Sequence, residues 1–324
     1  MKSLNKKLKQ IRAGKYTPSN FVIADAKDGD MAFGVTAPGP DKVEGGWKPR
    51  EDHLSAIEQM CQSGLVDIML MSASTAQILK SRGVFSKSPV TPAVRLNDTT
   101  DIWCARGSRY REYASQPFAT ADLQAVAPLC KLGLYSMTFS NDLQADKASL
   151  EAYREFRLAC RQVGMSHFLE VFNPAFDIGI KASELGYYIN DMIIKAIAGV
   201  TSEDAPQFLK IQFNGSGPMD ELCRYDPTRL VTGILGGAAG TTRDTFELAL
   251  QAEQAGARVA LFGRKINLAE SPLTLVTLMR KTLEQKLTPT EAVHEYHAHL
   301  KENGIKPARS LKVDLKITDT TLKS

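Results

Sequence analysis

The sequence predicts a closed barrel of eight parallel strands that alternate with helices, a (β/α)8 fold. Eight short runs rich in Val, Ile, Leu and Phe are separated by longer stretches of helical periodicity, and this alternation is typical of a parallel sheet. No linker-like Pro/Gly/Ser tract divides the 324 residues, which favours a single domain. A composition of 43% hydrophobic and 23% charged residues supplies enough apolar material for one large core.

The predicted strands, numbered 1 to 8, cover residues 21–24, 66–71, 93–96, 135–139, 168–172, 208–213, 230–235 and 259–262. The predicted helices cover residues 51–63, 74–82, 119–132, 147–164, 184–199, 218–224, 242–256 and 272–285. Three glycines, Gly133, Gly164 and Gly256, stand shortly before or at the start of a strand, as expected where a helix ends and the chain turns into the barrel. The barrel, a TIM barrel, is therefore expected over residues 21–285.

The barrel is flanked by a basic N-terminal extension, residues 1–20, and a C-terminal helical tail, residues 286–324. The basic cluster at residues 2–15 is interpreted as a solvated amphipathic helix in preference to a membrane or nucleic-acid arm. A net charge of +4 without a dense Lys/Arg stripe argues against nucleic-acid binding. No secretory segment and no apolar run of about 18 residues is present. We therefore expect a cytoplasmic protein that does not bind a membrane.

The cysteines and histidines carry weaker signals. The chain has five cysteines: Cys61, Cys104, Cys130, Cys160 and Cys223. They form no CxxC pair and are odd in number, which predicts reduced thiols in the core, and a catalytic Cys is the less favoured alternative. The segment "HEYHAHL" lacks the HExxH order of a zinc site and is interpreted as a polar helix surface: His294, His297 and His299. The loop at residues 98–118, rich in Arg and aromatics, is long enough to be functional or a lid.

In a barrel of this kind the active site lies at the carboxyl ends of the strands. Polar residues within or just after the predicted strands are Asp25, Lys27, Asp28 and Asp30 of strand 1, Arg95 and Asp98 of strand 3, Thr138 and Ser140 of strand 4, Glu170 of strand 5, and Lys210 of strand 6. These side chains are the candidates for the site.

The ends of strands 7 and 8 resemble an anion site. Gly236, Gly237 and Gly240 allow backbone N–H groups to approach an anion, and the next helix begins near Thr241 with its positive dipole end. Arg264 of "FGRK" can form a bidentate contact with a phosphate. The alternative is that "GGAAG" is only a tight turn.

Lys210 is out of place in the otherwise buried run "FLKIQF". A buried lysine bears a desolvation cost that favours the neutral amine, and this amine is the nucleophile of Schiff-base catalysis. Its neighbours Leu209 and Ile211 would then face the helices. Glu170, in "HFLEVF", is a suitable proton-transfer partner, and Asp25 is a third candidate for the same pocket. The alternatives are a lysine that extends its amine toward water and a purely structural ion pair.

These motifs together resemble the class I (Schiff-base) aldolase superfamily, over residues 21–270. The resemblance is carried by an Asp closing strand 1, "FLEVF", "FLKIQF", the Gly-rich turn and "ALFGRKI". Within that superfamily, the sequence resembles tagatose-bisphosphate aldolases and archaeal-type class I fructose-bisphosphate aldolases. The resemblance implies that Lys210 forms the imine, that Glu170 is the acid/base, and that Asp25 orients or deprotonates a sugar hydroxyl. It also implies that Gly236, Gly237, Gly263 and Arg264 hold a phosphate.

Two departures from the family pattern concern the substrate. Strand 2, "VDIMLMSAST", lacks a lysine, and strand 1 reads "DAKDGDMAFG" where relatives have "DQRG" or "DHG". Lys27 and Arg95 are expected to contact the substrate. The arginines of the long loop region could bind a second anionic group: Arg95, Arg106, Arg109 and Arg111.

The expected function is retro-aldol cleavage of a phosphorylated ketose through a Lys210 imine, without a metal or other cofactor. Association into homo-oligomers is also expected. One alternative is a lyase or isomerase whose Mg²⁺ or Mn²⁺ is held by Asp25, Asp28 and Asp30. A second alternative is a non-catalytic barrel that binds a sugar phosphate as a sensor or scaffold.

Overall fold

The computed structural model describes residues 2–41, 43–103 and 105–323. Eight parallel strands close into a barrel in chain order, with the last paired to the first. They are β1 Val22–Ala26, β2 Ile68–Met71, β3 Thr91–Arg95, β4 Leu132–Thr138, β5 Ser166–Phe172, β6 Leu209–Ile211, β7 Gly233–Leu235 and β8 Val259–Phe262. The predicted single-domain (β/α)8 TIM barrel is confirmed.

Helices connect the strands on the outside of the barrel. In chain order the α-helices are Ser3–Arg12, Gly29–Phe33, Arg50–Ser63, Ala73–Ser81, Leu123–Val126, Leu143–Gln162, Ala182–Ala198, Ser216–Tyr225, Thr242–Gln254, Arg264–Asn267, Pro272–Leu283, Pro289–Glu302 and Leu311–Asp314. Short 3-10 turns lie at Pro18–Asn20, Gly34–Thr36, Tyr110–Glu112 and Thr320–Leu322.

The predicted helix at residues 119–132 is largely wrong, because the chain forms only the turn Leu123–Val126 and β4 begins at Leu132. Pro128 has no N–H group with which to continue the helical hydrogen bonds, and the next N–H groups, of Leu129 and Cys130, both donate to the Val126 carbonyl in a turn. Gly133 then packs so closely that a Cβ there would lie 2.1 Å from Leu96 Cδ1. Close contact with the end of β3 therefore requires glycine near the start of β4.

Side chains of the strands alternate between the barrel interior and the surrounding helices, as the two-residue period of a strand requires. Ala24, Leu70 and Leu261 belong to the cluster inside the barrel. Ile23 and Met69, their chain neighbours, pack with the helices in the larger outer cluster. This alternation decides which polar residues reach the interior.

The N-terminal helix Ser3–Arg12 is solvated on one face only. Leu4, Leu8 and Ile11 are buried and belong to the same cluster inside the barrel as Ala24, Leu70 and Leu261. On another face, Lys7 donates a hydrogen bond of 2.8 Å to Asp67. The helix therefore covers the amino-terminal end of the barrel, opposite the end at which the strands finish.

The loop at residues 98–118 is an ordered excursion after β3. Its two ends pair as short antiparallel strands, Asp98–Thr99 with Pro117–Phe118. Trp103 stacks on Tyr110 at 6.0 Å between ring centroids and meets the Phe118 ring edge-on at 4.9 Å. We call this segment the β3 excursion.

The minor sequence signals have mixed outcomes. Cys61, Cys130, Cys160 and Cys223 are free and buried, whereas Cys104 lies outside the described residues. The histidine helix is not simply a polar surface, because His297 Nε2 lies 2.9 Å from an Asp314 carboxylate oxygen and is mostly buried. Among the helices of the described residues, none has the length and apolar character to cross a membrane.

Candidate active site

Three polar side chains form a row across adjacent strands in the upper barrel. Ser136 of β4, Glu170 of β5 and Lys210 of β6 are aligned in register. Lys210 Nζ lies 2.6 Å from Glu170 Oε1, and the Ser136 hydroxyl donates a 2.8 Å hydrogen bond to Glu170 Oε2. Both oxygens of the buried carboxylate are thus engaged by polar partners.

Strand alternation explains why Lys210 points inward. Leu209 and Ile211 pack with the outer helices, as predicted, while Phe208 lies in the interior cluster below the lysine. Lys210 is 6% exposed and Glu170 is 1% exposed. The lysine does not extend to solvent, and its partner is an anion, so the buried ammonium is compensated rather than isolated.

Ser136 was absent from the candidates drawn from the sequence, although it anchors the far side of Glu170. Its backbone is fixed by Asn97, which accepts from Ser136 N–H at 2.6 Å and donates to the Ser136 carbonyl at 2.7 Å. The Asn97 side chain takes the place of a backbone partner where β3 has already ended at Arg95. This amide therefore holds the serine beneath the carboxylate.

A second charged group lies beside the row. Arg95 Nη1 donates to Asp28 Oδ2 at 3.3 Å, and Arg95 Nη2 lies 2.7 Å from Asp98 Oδ1 as an ion pair without hydrogen-bond alignment. Burial raises the pKa of Asp98 to about 7, against the opposing effect of the Arg95 charge. Arg95 is thus paired with two carboxylates, and its expected contact with the substrate stays a prediction.

A cavity of about 250 Å³ opens above these groups at the carboxyl ends of the strands. It contains Lys210 and Glu170 together with Asp28 and Arg95. It is also lined by His53, which the sequence analysis did not name, and by five candidates from the sequence: Lys27, Gly236, Gly237, Gly263 and Arg264. Of the three expected catalytic residues, Lys210 and Glu170 therefore line this cavity and Asp25 does not. Among the wider candidates, those that also lie outside its lining are Asp30, Asp98, Thr138, Ser140 and Gly240.

Asp25 is the exception, and the expectation that it shares the pocket of Lys210 is wrong. Asp25 is paired with Met69, an outward residue, so strand parity turns its carboxylate toward the helices. It lines a separate cavity of about 170 Å³ behind β1, 3.5 Å from Lys27 Nζ. Burial raises the pKa of Asp25 to about 6. Asp28, three residues later, is the carboxylate of the β1 end that lines the cavity together with Lys210.

Lys27 stands in the wall between the two cavities. Its Nζ donates a 2.8 Å hydrogen bond to Asn267 Oδ1, and the side chain is almost fully buried. His53 also lines both cavities, and its Nε2 lies 3.1 Å from the Lys27 carbonyl. Burial lowers the pKa of His53, which favours the neutral ring. Lys27 therefore lines the cavity with its ammonium engaged by Asn267 and Asp25, and its expected contact with a substrate stays a prediction.

The Gly-rich turn after β7 and the start of the segment after β8 lie side by side at the cavity. A Cβ on Gly236 would lie 3.0 Å from the Phe262 ring, and one on Gly263 would lie 3.0 Å from the Ala26 carbonyl oxygen. Gly237 has φ +64°, a conformation that favours glycine. These positions let the backbone of both segments border the cavity.

The helix that follows the turn does not offer its end to a ligand. The N–H group of Thr242 donates to Asp314 Oδ1 at 2.8 Å, and Thr241 caps the helix with Asp244. The expected contribution of this helix dipole to an anion site is thus replaced by an internal carboxylate. The signal was invisible in the local sequence because Asp314 lies 72 residues away.

The expected arginine cluster is divided. Arg109 pairs with Glu112 at 2.6 Å and is exposed. Arg264 borders the cavity with its guanidinium 5.4 Å from the centre of the Phe33 ring. Partial burial, with a further effect of the nearby Arg111 charge, lowers the pKa of Arg264. Arg264 therefore lines the cavity, and Arg111 of the β3 excursion is near enough for its charge to act on Arg264.

The three aspartates proposed as metal ligands are not assembled. Asp25 faces the helices, Asp28 contacts Arg95, and Asp30 accepts a 2.5 Å hydrogen bond from Ser72. Over residues 2–41, 43–103 and 105–323, no group of three His, Cys, Asp or Glu side chains is arranged to hold a metal ion. The geometry gives no support to a divalent-metal site at the β1 end.

Several cavity residues were missed by reasoning from the sequence. Gln212 follows Lys210 at the two-residue spacing that keeps it inward, which is a signal that could have found it. Asn173 lines the cavity after β5 and exchanges two amide hydrogen bonds with Asn214, at 2.7 and 3.2 Å. Phe33 ends the short helix Gly29–Phe33 and Ile102 lies in the β3 excursion, and strand periodicity offers no guide to either.

Comparison with known proteins gives a structural match only. No protein-family model matches the chain, and no curated protein matches it in sequence. Among solved structures, a fructose-bisphosphate aldolase from Slackia heliotrinireducens superimposes with a TM-score of 0.65 at 11% identity, covering 92% of each chain.

Two further aldolase structures are similar to a comparable extent. A Schiff-base-forming fructose-1,6-bisphosphate aldolase matches with a TM-score of 0.60 at 12% identity, over 86% of this chain and 99% of that one. An archaeal fructose-1,6-bisphosphate aldolase whose catalytic Lys is bound to the carbinolamine intermediate matches with a TM-score of 0.61 at 12% identity, over 87% and 99%. The resemblance drawn from the sequence is confirmed at the level of the fold, which is that of these Schiff-base aldolases.

Proposed function

We propose that the chain is a class I aldolase that cleaves or forms a carbon–carbon bond of a phosphorylated ketose through an imine on Lys210. The observation that carries the proposal is the 2.6 Å contact between the Lys210 amine and the Glu170 carboxylate at the floor of the cavity. The fold shared with Schiff-base-forming aldolases supports the same chemistry.

Imine formation needs a neutral amine and a nearby acid. Glu170 takes the proton of the Lys210 ammonium, and the amine attacks the ketone carbon to give a carbinolamine. Glu170 then returns this proton to the carbinolamine oxygen. It next removes a proton from the attached nitrogen and passes it to the resulting hydroxyl, which leaves as water and gives the iminium. The 2.8 Å hydrogen bond from Ser136 keeps Glu170 oriented toward the lysine during these transfers.

Bond cleavage follows from the charge of the iminium. A base removes the proton from the hydroxyl two carbons away from the iminium carbon, and the carbon–carbon bond breaks to release an aldehyde. Its electron pair enters the iminium and leaves an enamine on Lys210. Protonation of the enamine and hydrolysis then free the ketone product and the amine. Asp28 is the candidate base, because it borders the cavity and is oriented by Arg95, whose Nη1 lies 3.3 Å from Asp28 Oδ2.

The phosphate of the substrate is assigned to the side of the cavity formed by the ends of β7 and β8. Gly236, Gly237 and Gly263 place backbone there, and Arg264 supplies a cation for a bidentate contact. An anion would also reduce the repulsion that Arg111 exerts on Arg264. Binding at this end would orient the carbonyl toward Lys210.

A turnover assay tests the proposal. The assay measures triose phosphate release from a panel of ketose mono- and bisphosphates, with and without EDTA. It compares the wild-type protein with K210M, E170Q and the surface control K281M. We expect turnover by the wild type and K281M, none by K210M, and a strong loss in E170Q. Equal turnover by K210M and the wild type would overturn the imine mechanism. Activity abolished by EDTA would favour the metal alternative, and phosphate binding without turnover on any ketose would favour a sensor.

A further inference from the structure

Lys265 is a buried cation next to the proposed anion site but outside the cavity. It follows Gly263 and Arg264, is 7% exposed, and does not line the pocket. Its Nζ donates a hydrogen bond of 3.2 Å to the Ala239 carbonyl. Ala239 belongs to the turn after β7, residues 236–240, which we call the β7 turn. Lys265 therefore links the segment after β8 to the turn after β7.

The helix that follows this turn is held at its start by the C-terminal strap, residues 311–319. The Thr241 hydroxyl donates to the Lys316 carbonyl at 2.8 Å, and the Thr318 N–H group donates to Asp244 Oδ1 at 2.7 Å. Gly240 passes so close to Asp244 that a Cβ would lie 2.8 Å from its Oδ2. The β7 turn therefore contacts Lys265 at Ala239 and packs at Gly240 against a carboxylate that the strap holds.

Charges around Lys265 make this link sensitive to protonation. Asp244 of the helix Thr242–Gln254 and Asp319 at the end of the strap favour the ammonium, while Arg264 and Arg309 disfavour it. Burial outweighs the two carboxylates and lowers the pKa of Lys265 to about 8. The ammonium is therefore present at neutral pH and is lost as the pH rises through about 8, because a lowered lysine pKa favours the neutral amine in the folded protein.

We propose that Lys265 is a positioning residue that fixes the β7 turn for anion binding, so that phosphate affinity depends on its positive charge. The inference rests on the anion site of the proposed function. Lys265 acts through Ala239, whose turn brings Gly236 and Gly237 to the cavity. Neutralising the Lys265 ammonium weakens its hydrogen bond to the Ala239 carbonyl. It also removes the electrostatic attraction between Lys265 and the carboxylates of Asp244 and Asp319.

Inorganic phosphate binding to the full chain, measured by calorimetry between pH 7.5 and pH 9.5, tests this inference without any need for turnover. Phosphate is predominantly a dianion over this range, so a change in affinity reports on the protein. The variants are K265M, K265R and the control K316M, which removes an exposed lysine charge from the same strap.

For the wild type and K316M we expect affinity to fall on the order of tenfold as the pH rises through 8, the effect of losing one charge-assisted hydrogen bond. K265R, which stays charged, should show a flat profile, and K265M should be weak at every pH. If K265M and K265R keep the wild-type profile, or if the wild type binds no phosphate, the inference is overturned. Imine trapping with unphosphorylated hydroxyacetone is a separate readout, and its failure would count against the proposed function alone.

Discussion

Replacing Lys210 by Met separates the structural from the chemical part of the Lys210–Glu170 pair. The two charged atoms lie 2.6 Å apart, and the side chains are 8% and 1% exposed. K210M leaves the Glu170 carboxylate buried, with the Ser136 hydroxyl as its remaining hydrogen-bond partner among the described residues and the Arg95 charge nearby. Removal of one member of a buried ion pair costs about 3–5 kcal/mol. We expect K210M to lower the free energy of unfolding by about this amount at pH 8.

The loss should depend on pH and on Glu170. Without the lysine, the folded chain binds a proton at Glu170 more tightly than the unfolded chain, so the stability of K210M relative to the wild type should rise as the pH falls toward 5. The double variant K210M/E170Q has no buried charge to neutralise and can still bond to Ser136. It should recover most of the lost stability at pH 8, although it remains inactive.

Urea denaturation followed by circular dichroism at pH 5 and pH 8 provides the free energies. The control is K281M, which removes an exposed ion pair of Lys281 and Glu295 at 3.0 Å and should cost less than about 1 kcal/mol. A wild-type stability for K210M at pH 8, or a double variant no more stable than K210M, would refute the reasoning that the pair is buried and charged.

Three further predictions follow from the placement of single residues. S136A should lower kcat/KM by about 10- to 100-fold, the effect of one hydrogen bond to a charged group, while borohydride still traps the imine; an unchanged kcat/KM would contradict the assignment. D25N should keep its kcat, because Asp25 faces the helices. Because the pKa of Asp25 is raised in the folded protein, the free energy of unfolding should fall as the pH rises from about 4 to about 6. D25N should not show this fall when the free energy of unfolding is measured by denaturation at each pH. L8A should cost about 2–5 kcal/mol in urea denaturation, whereas a solvated N-terminal helix would show almost no loss.

The sequence predicted the barrel because alternation of short apolar runs and amphipathic helices is a local property that survives in the fold. It also predicted the inward lysine and glutamate, because a charged side chain in the middle of an apolar strand is tolerated only where a partner compensates its burial. Asp25 was misplaced because inward and outward faces differ by one residue, and the last inward position of β1 is Ala26 rather than Asp25. An uncertainty of one residue at a strand end exchanges the faces.

Other parts of the site depend on contacts between distant segments. Ser136 meets Glu170 only because β4 and β5 are aligned in that register, and one sequence does not specify the stagger of neighbouring strands. The end of the helix Thr242–Gln254 looked available for an anion, yet Asp314 from the C-terminal tail occupies it. Such contacts are set by tertiary packing, for which local propensity and periodicity carry no signal.

The central claim is that the Lys210 amine forms an imine with a phosphorylated ketone. The most direct measurement is borohydride reduction of the wild-type protein in the presence of dihydroxyacetone phosphate, followed by mass mapping of the peptides. We predict one stable adduct on the peptide that contains Lys210, and none in K210M. Adduct formation at another lysine, or no adduct with this ketone or any of a panel of ketose phosphates, would contradict the account.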